Sequence, residues 1–489
     1  MNGLFVGVDV GTQGAKALVI DPERGAVVGR AAESYGLIEG LAAGAAEQHP
    51  ETWARAVGSV LHELWGTCDA RRVAAIGVSG QQHGFVPLDS GYEVIRPAKL
   101  WCDTETVAEA AELSAAMGRS LPTGFTASKI LWLARHEPDS FARLRHVALP
   151  HDWINLLLCG ELVMECGDAS GTGFFDSSKR CFDTARAEQV VAGLGAMLPP
   201  LVDAGVSIGR VSEKAAVRFG LPEGALVATG GGDNMMSAIG SGASVAGVVV
   251  LSLGTSGTVF AYSGTPVVDP AGLVASFCDS TGAWLPLLCV MNLTEVVDEV
   301  CVAFGLGHRE LEQRAASVAP GADGLRLLPF LRGERVPDLP RATGSLHGMR
   351  PGWLDPARLY RAALEGTTMN LAWGVRRLRE LGVHVDQLRL VGGAARNRLW
   401  RSIIADVHDV PVVAMAEPES AALGGALQAL WTWHRARGTE TSLEALAAPF
   451  VHTIDAPLEP DADRVARYAE VFASWSEHLR REWGCEAPA

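Results

Sequence analysis

The segment FVGVDVGTQGAKALVI, residues 5–20, decides the fold of this 489-residue chain, because it returns in altered form near the middle of the sequence. There, residues 248–263 read VVVLSLGTSGTVFAYS, and Gly11 aligns with Gly254. Each copy has the pattern of a β-hairpin, an apolar strand followed by a G-T-x-G turn and a second apolar strand. Solenoid repeats recur every ~20 to 50 residues, whereas this offset is near half the chain. The repeat therefore predicts two domains of similar topology.

A stretch of small residues separates the two predicted domains. It reads GSGASVAG over residues 240–247 and offers little bulk for packing. Since a chain of this length exceeds the size at which one core keeps growing, we expect domains at residues 1–243 and 244–489. The two copies of the hairpin are not equivalent, because Asp9 in the first aligns with Ser252 in the second.

The residues around the first hairpin predict an α/β domain. Residues 1–30 alternate apolar stretches and turns, which is typical of a three-stranded meander. PETWARAVGSVLHELWG, residues 50–66, places Trp53, Val57 and Leu64 on one face of a helix. VAAIGV, residues 73–78, then predicts a buried strand.

Composition excludes several classes of protein. The net charge is −15 and no cluster of Lys and Arg is present, so we expect no nucleic-acid partner. The N-terminus has no basic region, and no apolar run approaches ~18 to 20 residues, so neither a signal peptide nor a membrane span is expected. The nine cysteines form no C-x-x-C pair, which favours reduced thiols and a cytoplasmic protein.

The two G-T-x-G turns are candidate phosphate sites. A glycine-bounded turn can direct several backbone N–H groups into one concavity, and the threonine hydroxyl adds a donor. The alternative is an ordinary hairpin turn that uses glycine for positive φ. The chain has no Gly-Lys dipeptide, no H-R-D and no D-F-G, so the P-loop and the protein-kinase architectures are excluded.

Two carboxylates follow apolar strands. Asp9 ends the strand before the first turn, where it suits Mg²⁺ coordination through water; the alternative is an Asp that fixes its own turn. Asp233 lies in ALVATGGGDNMMSAIG, residues 225–240, between three glycines and a predicted helix. An N-cap would explain Asp233, but three glycines indicate either a close approach to the backbone or a sharp turn.

Two further segments end strands with polar residues. SGQQHG, residues 79–84, places two amides and His83 at a strand end, which suits a site that hydrogen-bonds hydroxyl groups; a satisfied core histidine is the alternative. LVGGAARNRLW, residues 390–400, predicts a strand, two glycines and a helix with Arg396 and Asn397 in its first turn. A flat ring could lie against these glycines, although an ordinary strand-to-helix turn has the same pattern.

Taken in order, these motifs resemble those of the FGGY carbohydrate kinase family. The similar segments are FVGVDVGTQGAKALVID, SGQQHG, GFTASKILWLARH (residues 124–136), ATGGGDN, LSLGTSG, LPFLRGERVPD (residues 328–338), GSLHGMRPGWLDPARLYRAALE (residues 344–365) and LVGGAARNRLW. The resemblance covers essentially the whole chain with order and spacing preserved. It implies two actin-like, ribonuclease H-like α/β domains around a central cleft, with sugar bound mainly by the first and nucleotide by the second.

The resemblance also implies an activity, ATP-dependent phosphorylation of a ketose with Mg²⁺, and D-xylulose giving D-xylulose 5-phosphate is the expected reaction. Asp233 would be the general base and Asp9 the acid required for the metal-bound phosphates. Gln82, His83 and Asn234 would contact the sugar, and Gln81 and Asp103 are also expected to bind it. ATP would be held by Thr12, Gln13, Gly254, Thr255, Ser256, Gly392, Gly393 and Asn397. The three glycines before Asp233 would leave the cleft floor bare, so that the sugar hydroxyl and the γ-phosphate meet there.

Three positions depart from the family pattern. Gln82 stands where bacterial members often have Met, and WCDTET, residues 101–106, replaces the usual Asp-Gly-Arg after Trp101, so one guanidinium contact is missing. Arg358 stands where an acid or amide is usual. The alternatives left open are a family kinase for ribulose, gluconate, glycerol, an erythritol-like polyol or a signalling furanone, and an actin- or chaperone-like ATPase. A further alternative is a serine hydrolase that uses GASVA, residues 242–246, but this segment lacks the second glycine of the G-x-S-x-G motif. A homodimer is also left open.

Overall fold

The computed structural model describes residues 3–488, and its centre is a pair of mixed β-sheets, one from each half of the chain. The strands of the first half are β1 Leu4–Val10, β2 Gly14–Asp21, β3 Ala26–Ser34, β4 Glu47–Gln48, β5 Val73–Gly80, β6 Val86–Leu88, β7 Ala98–Lys99, β8 His146–Ala148, β9 Met164–Glu165, β10 Phe175–Asp176, β11 Cys181–Phe182, β12 Leu201–Val202, β13 Ser207–Arg210, β14 Leu226–Ala228 and β15 Gly231–Gly232. Its helices are α1 Pro50–Leu64, α2 Val107–Met117, α3 Thr126–His136, α4 Pro138–Arg143, α5 Pro150–Cys159, α6 Cys166–Ala169, α7 Leu194–Met197, α8 Glu213–Phe219 and α9 Asp233–Gly240.

The second half begins with the second hairpin. Its strands are β16 Gly247–Leu253, β17 Gly257–Ala261, β18 Ala275–Cys278, β19 Trp284–Val290, β20 Arg326–Leu328, β21 Ser345–His347, β22 Val385–Val391 and β23 Val412–Ala414. Its helices are α10 Thr294–Phe304, α11 His308–Ala315, α12 Pro356–Glu380, α13 Arg398–His408, α14 Ser420–Arg435, α15 Leu443–Ala447 and α16 Ala462–Trp483.

Five strands have the same order in the two sheets, β3-β2-β1-β5-β14 in the first and β19-β17-β16-β22-β23 in the second. The first runs β13-β14-β5-β1-β2-β3, with β15 continuing the pairing along β5, and the second runs β18-β19-β17-β16-β22-β23. In each, the first strand of the repeated hairpin lies at the centre, antiparallel to its hairpin partner and parallel to a later strand. The predicted fold class, two α/β units of similar topology, is confirmed, and so is the three-stranded meander.

Helix α1 shows why the local prediction succeeds. Pro50 occupies its first turn, where a missing N–H costs nothing. Trp53, Val57 and Leu64 are all buried against the first sheet, as their helical spacing indicates. The strand predicted at residues 73–78 forms as β5 and is buried on both faces.

Helix α14 returns from the second half of the chain to the first sheet, which the sequence did not predict. A Cβ on Gly7 of β1 would lie 1.8 Å from the carbonyl oxygen of Ala422, so glycine lets helix and strand meet backbone to backbone. α14 also packs closely on α9, since a Cβ on Gly240 would lie 1.8 Å from the carbonyl oxygen of Ser420. The α9–α14 pair therefore joins the two halves.

Two further predictions from the sequence concern membrane spans and cysteine pairing. Within residues 3–488, no helix is long and apolar enough to cross a membrane. The nine cysteines are all free thiols, and three of them, Cys68, Cys166 and Cys278, are buried.

Candidate active site

Three strand ends of the first sheet bring Asp9 next to the three-glycine turn. Asp9 of β1 is in register with Ser79 of β5, and Gly231 of β15 is in register with Ser79 from the other side. The Ser79 hydroxyl donates a 2.7 Å hydrogen bond to Oδ1 of Asp9. The two predicted carboxylate segments therefore lie side by side at the carboxyl ends of neighbouring parallel strands.

Asp233 begins helix α9 at its first position, and the N-cap is Gly232, so the N-cap interpretation of Asp233 does not hold. Its Oδ1 accepts hydrogen bonds from the backbone N–H of Asn234 at 2.8 Å and from Asn234 Nδ2 at 3.0 Å. Burial, together with the negative charges of Asp9 and Asp168, raises the pKa of Asp233 to about 8. In its ionised form, a carboxyl group with that pKa is a stronger proton acceptor than an exposed aspartate.

We expected the three glycines at residues 230–232 to leave the floor of the cleft free of side chains, but the structure uses them differently. Gly230 has φ +71°, the left-handed region that glycine favours, and it makes the sharp turn. A Cβ on Gly231 would lie 2.4 Å from Oγ of Ser280, and a Cβ on Gly232 would lie 2.6 Å from Cγ of Gln82. Glycine at these two positions makes room for protein side chains.

Gln82 and Asn234 belong to a chain of hydrogen bonds along one side of the site. Asn234 Nδ2 donates to Gln82 Oε1 over 2.7 Å, and the hydroxyl of Thr258, from the second half, donates to Asn234 Oδ1 over 2.9 Å. The Nε2 atom of Gln82 is buried and has no protein partner within residues 3–488. A buried donor without a partner is costly, so this atom is available to a ligand oxygen.

His83 has an unusual backbone and a confined ring. Its φ is +66°, and its imidazole lies 5.1 Å from the ring of Phe125 and 5.6 Å from that of Phe277. Behind it, a Cβ on Gly171 would lie only 1.7 Å from His83 Nδ1. Burial, with smaller effects from Lys129 and Arg335, lowers the pKa of His83 to about 3, so the ring is neutral.

These side chains line one cavity of about 810 Å³ between the two halves. The first half contributes Gln82, His83, Trp101, Asp233 and Asn234, and the second contributes Ser252, Ser256, Thr258, Cys289 and Arg335. The structure thus brings together the predicted base, three predicted sugar-contacting residues and one predicted phosphate-contacting serine.

The first G-T-x-G turn is held by protein contacts. The Thr12 hydroxyl donates to Oε1 of Gln81 over 2.9 Å and accepts from Nε1 of Trp101 at 2.9 Å. Gln81 is fully buried beneath this turn and does not line the cavity, in contrast to the expected sugar contact. Gln13 is exposed at the tip of the turn, and its carbonyl oxygen accepts a hydrogen bond from the Tyr35 N–H at 3.1 Å.

The second turn lies beside the glycines of the predicted adenosine segment. Because β16 is parallel to β22, with Ser252 in register with Val391, the turn at residues 254–256 and the turn at residues 392–393 are neighbours. Gly392 has φ +95°, and a Cβ there would lie 2.6 Å from the Leu253 carbonyl oxygen. A Cβ on Gly393 would meet nothing within 4 Å, so the surface above Gly393 is open.

Asn397 differs from its predicted position. It lies before helix α13 as the N-cap, not in the first turn, and its Oδ1 accepts from the Trp400 N–H at 2.9 Å. Its Nδ2 donates to the hydroxyl of Tyr360 over 3.1 Å. Both ends of the amide are therefore used by the protein, and Asn397 shapes the turn that follows Gly393.

Asp103 is also placed differently from the expectation. Its fully buried carboxylate accepts from Lys99 Nζ at 3.0 Å and from the backbone N–H of Ala46 at 2.9 Å, and it does not line the cavity. Lys99 also contacts Glu47 at 3.1 Å and Glu105 at 2.6 Å. The ammonium group thus fills the space between three carboxylates that could otherwise hold a metal ion.

Sequence reasoning missed Gly171, Thr258, Cys289 and Arg335. Gly171 and Thr258 act through tertiary contacts with His83 and Asn234, for which no local signal exists. Arg335 belongs to LPFLRGERVPD, which the sequence identified only as a family landmark. An arginine beside a buried glutamate in a proline-bounded loop was the available signal.

Comparisons with known proteins match nearly the whole chain. The family model described as "FGGY family of carbohydrate kinases, N-terminal domain" matches residues 4–240, and the C-terminal domain model of the same family matches residues 249–433. The xylulose kinase of Haemophilus influenzae is 38% identical over 97% of this chain and 99% of its own length. The xylulose kinase of Streptomyces coelicolor is 36% identical, with 98% of each chain covered. The crystal structure of xylulose kinase from Rhodospirillum rubrum superposes with a TM-score of 0.89 at 27% identity, covering 98% of each chain.

Proposed function

Because the chain belongs to the FGGY family of carbohydrate kinases, we propose that it transfers the γ-phosphoryl group of ATP to D-xylulose, giving D-xylulose 5-phosphate. The chain is a carbohydrate kinase, and ATP is the substrate of kinases of this family. The choice of sugar is supported by relatives named xylulose kinase that cover nearly the whole chain. The observation that carries the proposal is Asp233 beside the Gln82–Asn234 pair in a cavity lined by both halves.

In the proposed reaction, Asp233 is the general base. The hydroxyl oxygen of the sugar forms a bond to the γ-phosphorus, the bond from that phosphorus to the bridging oxygen of ADP breaks, and the hydroxyl proton passes to the Asp233 carboxylate. Phosphoryl transfer has a loose transition state, so alignment and charge neutralisation provide most of the catalysis. The raised pKa of Asp233 favours uptake of the proton.

Sugar recognition would rest on Gln82, His83 and Asn234. The free Nε2 of Gln82 would donate to a sugar oxygen, because no protein acceptor reaches it within the described residues. The neutral ring of His83 packs beside Phe125 and Phe277, with Nδ1 against Gly171, and its other nitrogen would bind a sugar hydroxyl. Asn234 would be oriented by its bonds to Gln82 and Thr258.

ATP would lie between the two G-T-x-G turns. We propose that backbone groups of residues 12–13 and 254–256 face its phosphates and that adenosine lies over Gly393, where the surface is open. In this proposal Gly392 and Asn397 shape the adenosine turn, and Asp103 and Gln81 stabilise the sugar side from behind. The domain division at 243/244 remains part of the proposal, with α14 returning from the second domain to the first sheet.

The residues at Asp9 fit a magnesium ion carried by the nucleotide. Within residues 3–488, Ser79 is the one side chain that hydrogen-bonds this carboxylate, through Oδ1. Burial raises the pKa of Asp9 to about 6. Below that pH, a nearby cation would favour the charged form of the carboxylate. Carboxylate oxygens and water are the ligands that Mg²⁺ prefers. Bound there, Mg²⁺ would neutralise phosphate charge while Asp9 orients it.

The proposal is tested by a coupled ADP-release assay with a panel of D-xylulose, D-ribulose, D-gluconate, glycerol and erythritol. We expect the highest kcat/KM with D-xylulose and no comparable ADP release without a sugar. A higher kcat/KM with another member of the panel would refute the choice of sugar. Sugar-independent ATP hydrolysis would favour the ATPase alternative. Asp233→Ala protein purified in parallel controls for contaminating kinases.

A further inference from the structure

The loop at residues 329–342 presents three arginines, and they differ in their partners. Arg332 is exposed and forms an ion pair with Glu295, and Arg341 is exposed. Arg335 is half-buried, lines the cavity between the two halves and forms no ion pair with any carboxylate among residues 3–488. Its positive charge acts on the thiol of Cys289, which lines the same cavity. A partly desolvated guanidinium without a counter-charge can accept an anion at little cost.

The backbone on both sides of Arg335 is held firmly. The buried carboxylate of Glu334 accepts hydrogen bonds from the N–H of Met291 at 2.6 Å, from the N–H of Arg335 at 2.8 Å and from Asn370 Nδ2 at 3.0 Å. On the other side, Val336 is buried in the core of the second half. Arg335 is therefore presented by a rigid segment anchored to the end of β19 and to α12.

Arg335 lines the same cavity as Asp233, the base of the proposed reaction. Cys289 is in register with Thr258, whose hydroxyl holds Asn234, the neighbour of Asp233. The charge of Arg335 also reaches His83, where it helps to lower the imidazole pKa. Arg335 thus lines, from the second half of the chain, the cavity to which the first half contributes the base and the sugar loop.

The other cations near this site are already engaged. Lys16 pairs with Glu419, Lys99 contacts three carboxylates, and Lys129 donates to the carbonyl oxygens of residues 123–125. Arg119, at the other side of the cavity, donates to the Gly173 carbonyl. Two carboxylates, Asp9 and Asp233, lie close together at the strand ends, so an incoming phosphoryl group needs a compensating positive charge.

We propose that the Arg335 guanidinium binds the phosphoryl group as it passes from ATP to the sugar, and holds the phosphate of the product. This inference rests on the proposed function, which supplies the phosphoryl group. A planar fork of N–H donors matches two phosphate oxygens, and a donor in a dry cavity stabilises developing charge without reorganisation. Because Arg335 comes from the second half and Asp233 from the first, both reach the same group only across the cleft.

The experiment compares Arg335→Gln, Arg335→Lys and the matched control Arg332→Gln from the same loop. Calorimetry measures the Kd of D-xylulose and of D-xylulose 5-phosphate, and steady-state kinetics measure kcat. For Arg335→Gln we expect kcat to fall about a hundredfold or more. We also expect product affinity to fall at least tenfold and D-xylulose affinity to stay within twofold. Arg335→Lys should recover part of kcat, and Arg332→Gln should match the wild type.

Several outcomes would overturn the proposal. Loss of D-xylulose affinity with unchanged product affinity would make Arg335 a ligand of a sugar hydroxyl, and unchanged kcat would exclude any role in transfer. Melting temperature and MgATP affinity are measured on the same samples to detect a folding defect. If Arg335→Gln has such a defect, the Arg335→Lys variant tests the proposal instead, because lysine keeps the positive charge. If the wild type prefers another sugar, the proposed substrate fails. The role of Arg335 is then tested with that sugar, with the phosphorylated form of that sugar and with inorganic phosphate. Equal phosphate affinity in the wild type and in Arg335→Gln would refute the proposed role of Arg335.

Discussion

Asn234 and Gln82, 152 residues apart in the chain, are joined by a 2.7 Å hydrogen bond from Asn234 Nδ2 to Gln82 Oε1. The bond leaves Gln82 Nε2 buried and without a protein partner in the described part of the chain. Gln82 is also a position where the sequence departs from the family pattern, which makes it a natural target for mutation.

Gln82→Met should weaken sugar binding. It removes the acceptor for Asn234 and the free donor, and each lost hydrogen bond costs about 0.5–1.5 kcal/mol. We expect the KM for the sugar to rise roughly 3- to 30-fold, with the KM for MgATP unchanged. Gln313→Met, an exposed position on α11, is the matched control. An unchanged sugar KM would mean that Gln82 Nε2 does not contact the substrate.

Asp233→Ala should abolish most turnover while the fold and nucleotide binding persist. General-base catalysis contributes about 10²- to 10⁴-fold, so kcat should fall by that factor. MgATP affinity, measured by calorimetry, should stay within about twofold, because the proposed nucleotide turns lie in other segments. Near-normal kcat in this variant would remove Asp233 from the mechanism.

Asp233→Asn should stabilise the free protein, and more so at higher pH. The pKa of Asp233 is raised from 3.8 to about 8 in the folded state, so unfolding releases a proton between these values and wild-type stability falls as pH rises. Asparagine does not ionise, so the gain in melting temperature should grow from pH 4 to pH 8 and level off above. Thermal melts at pH 5, 7 and 8.5 measure it, with exposed Asp338→Asn as the control. A gain independent of pH would contradict the raised pKa.

Gly171→Ala should damage sugar binding through His83. An alanine Cβ would lie 1.7 Å from His83 Nδ1, so the ring must move into the cavity. We expect the sugar KM to rise about tenfold or more and the MgATP KM to stay constant. Gly264→Ala, where a Cβ would meet nothing within 4 Å, is the control. The double-mutant cycle with His83→Ala is decisive, since a full Gly171→Ala effect in that background would show that Gly171 acts independently of His83.

Asp9→Asn should raise the magnesium concentration that activity requires. Loss of the charged carboxylate should raise the Mg²⁺ concentration for half-maximal rate by about tenfold, with the sugar KM within twofold of the wild type. The assay titrates MgCl₂ at fixed total ATP. If the Mg²⁺ titration curve superposes on that of the wild type, Asp9 does not orient the metal.

The fold was largely predictable because its signals are local. The hairpin repeat, the α1 face and the strand at residues 73–78 each depend on residues within one short segment, and the structure forms all three. The parallel pairing of β1 with β5 then places Asp9 beside Ser79 at the carboxyl ends of the strands, where α/β sheets usually bind ligands.

The sequence by itself determined which side chains stand at the strand ends, since periodicity and turn residues define where each strand stops. Only the tertiary structure decided what those side chains contact. It directs Asp103 to Lys99, uses Gly232 to make room for Gln82, places Gly171 behind His83, and puts Arg335 and Asp233 in the lining of one cavity. The physical reason is that these contacts join segments distant in the chain, and their energies depend on packing and burial, which no local pattern records.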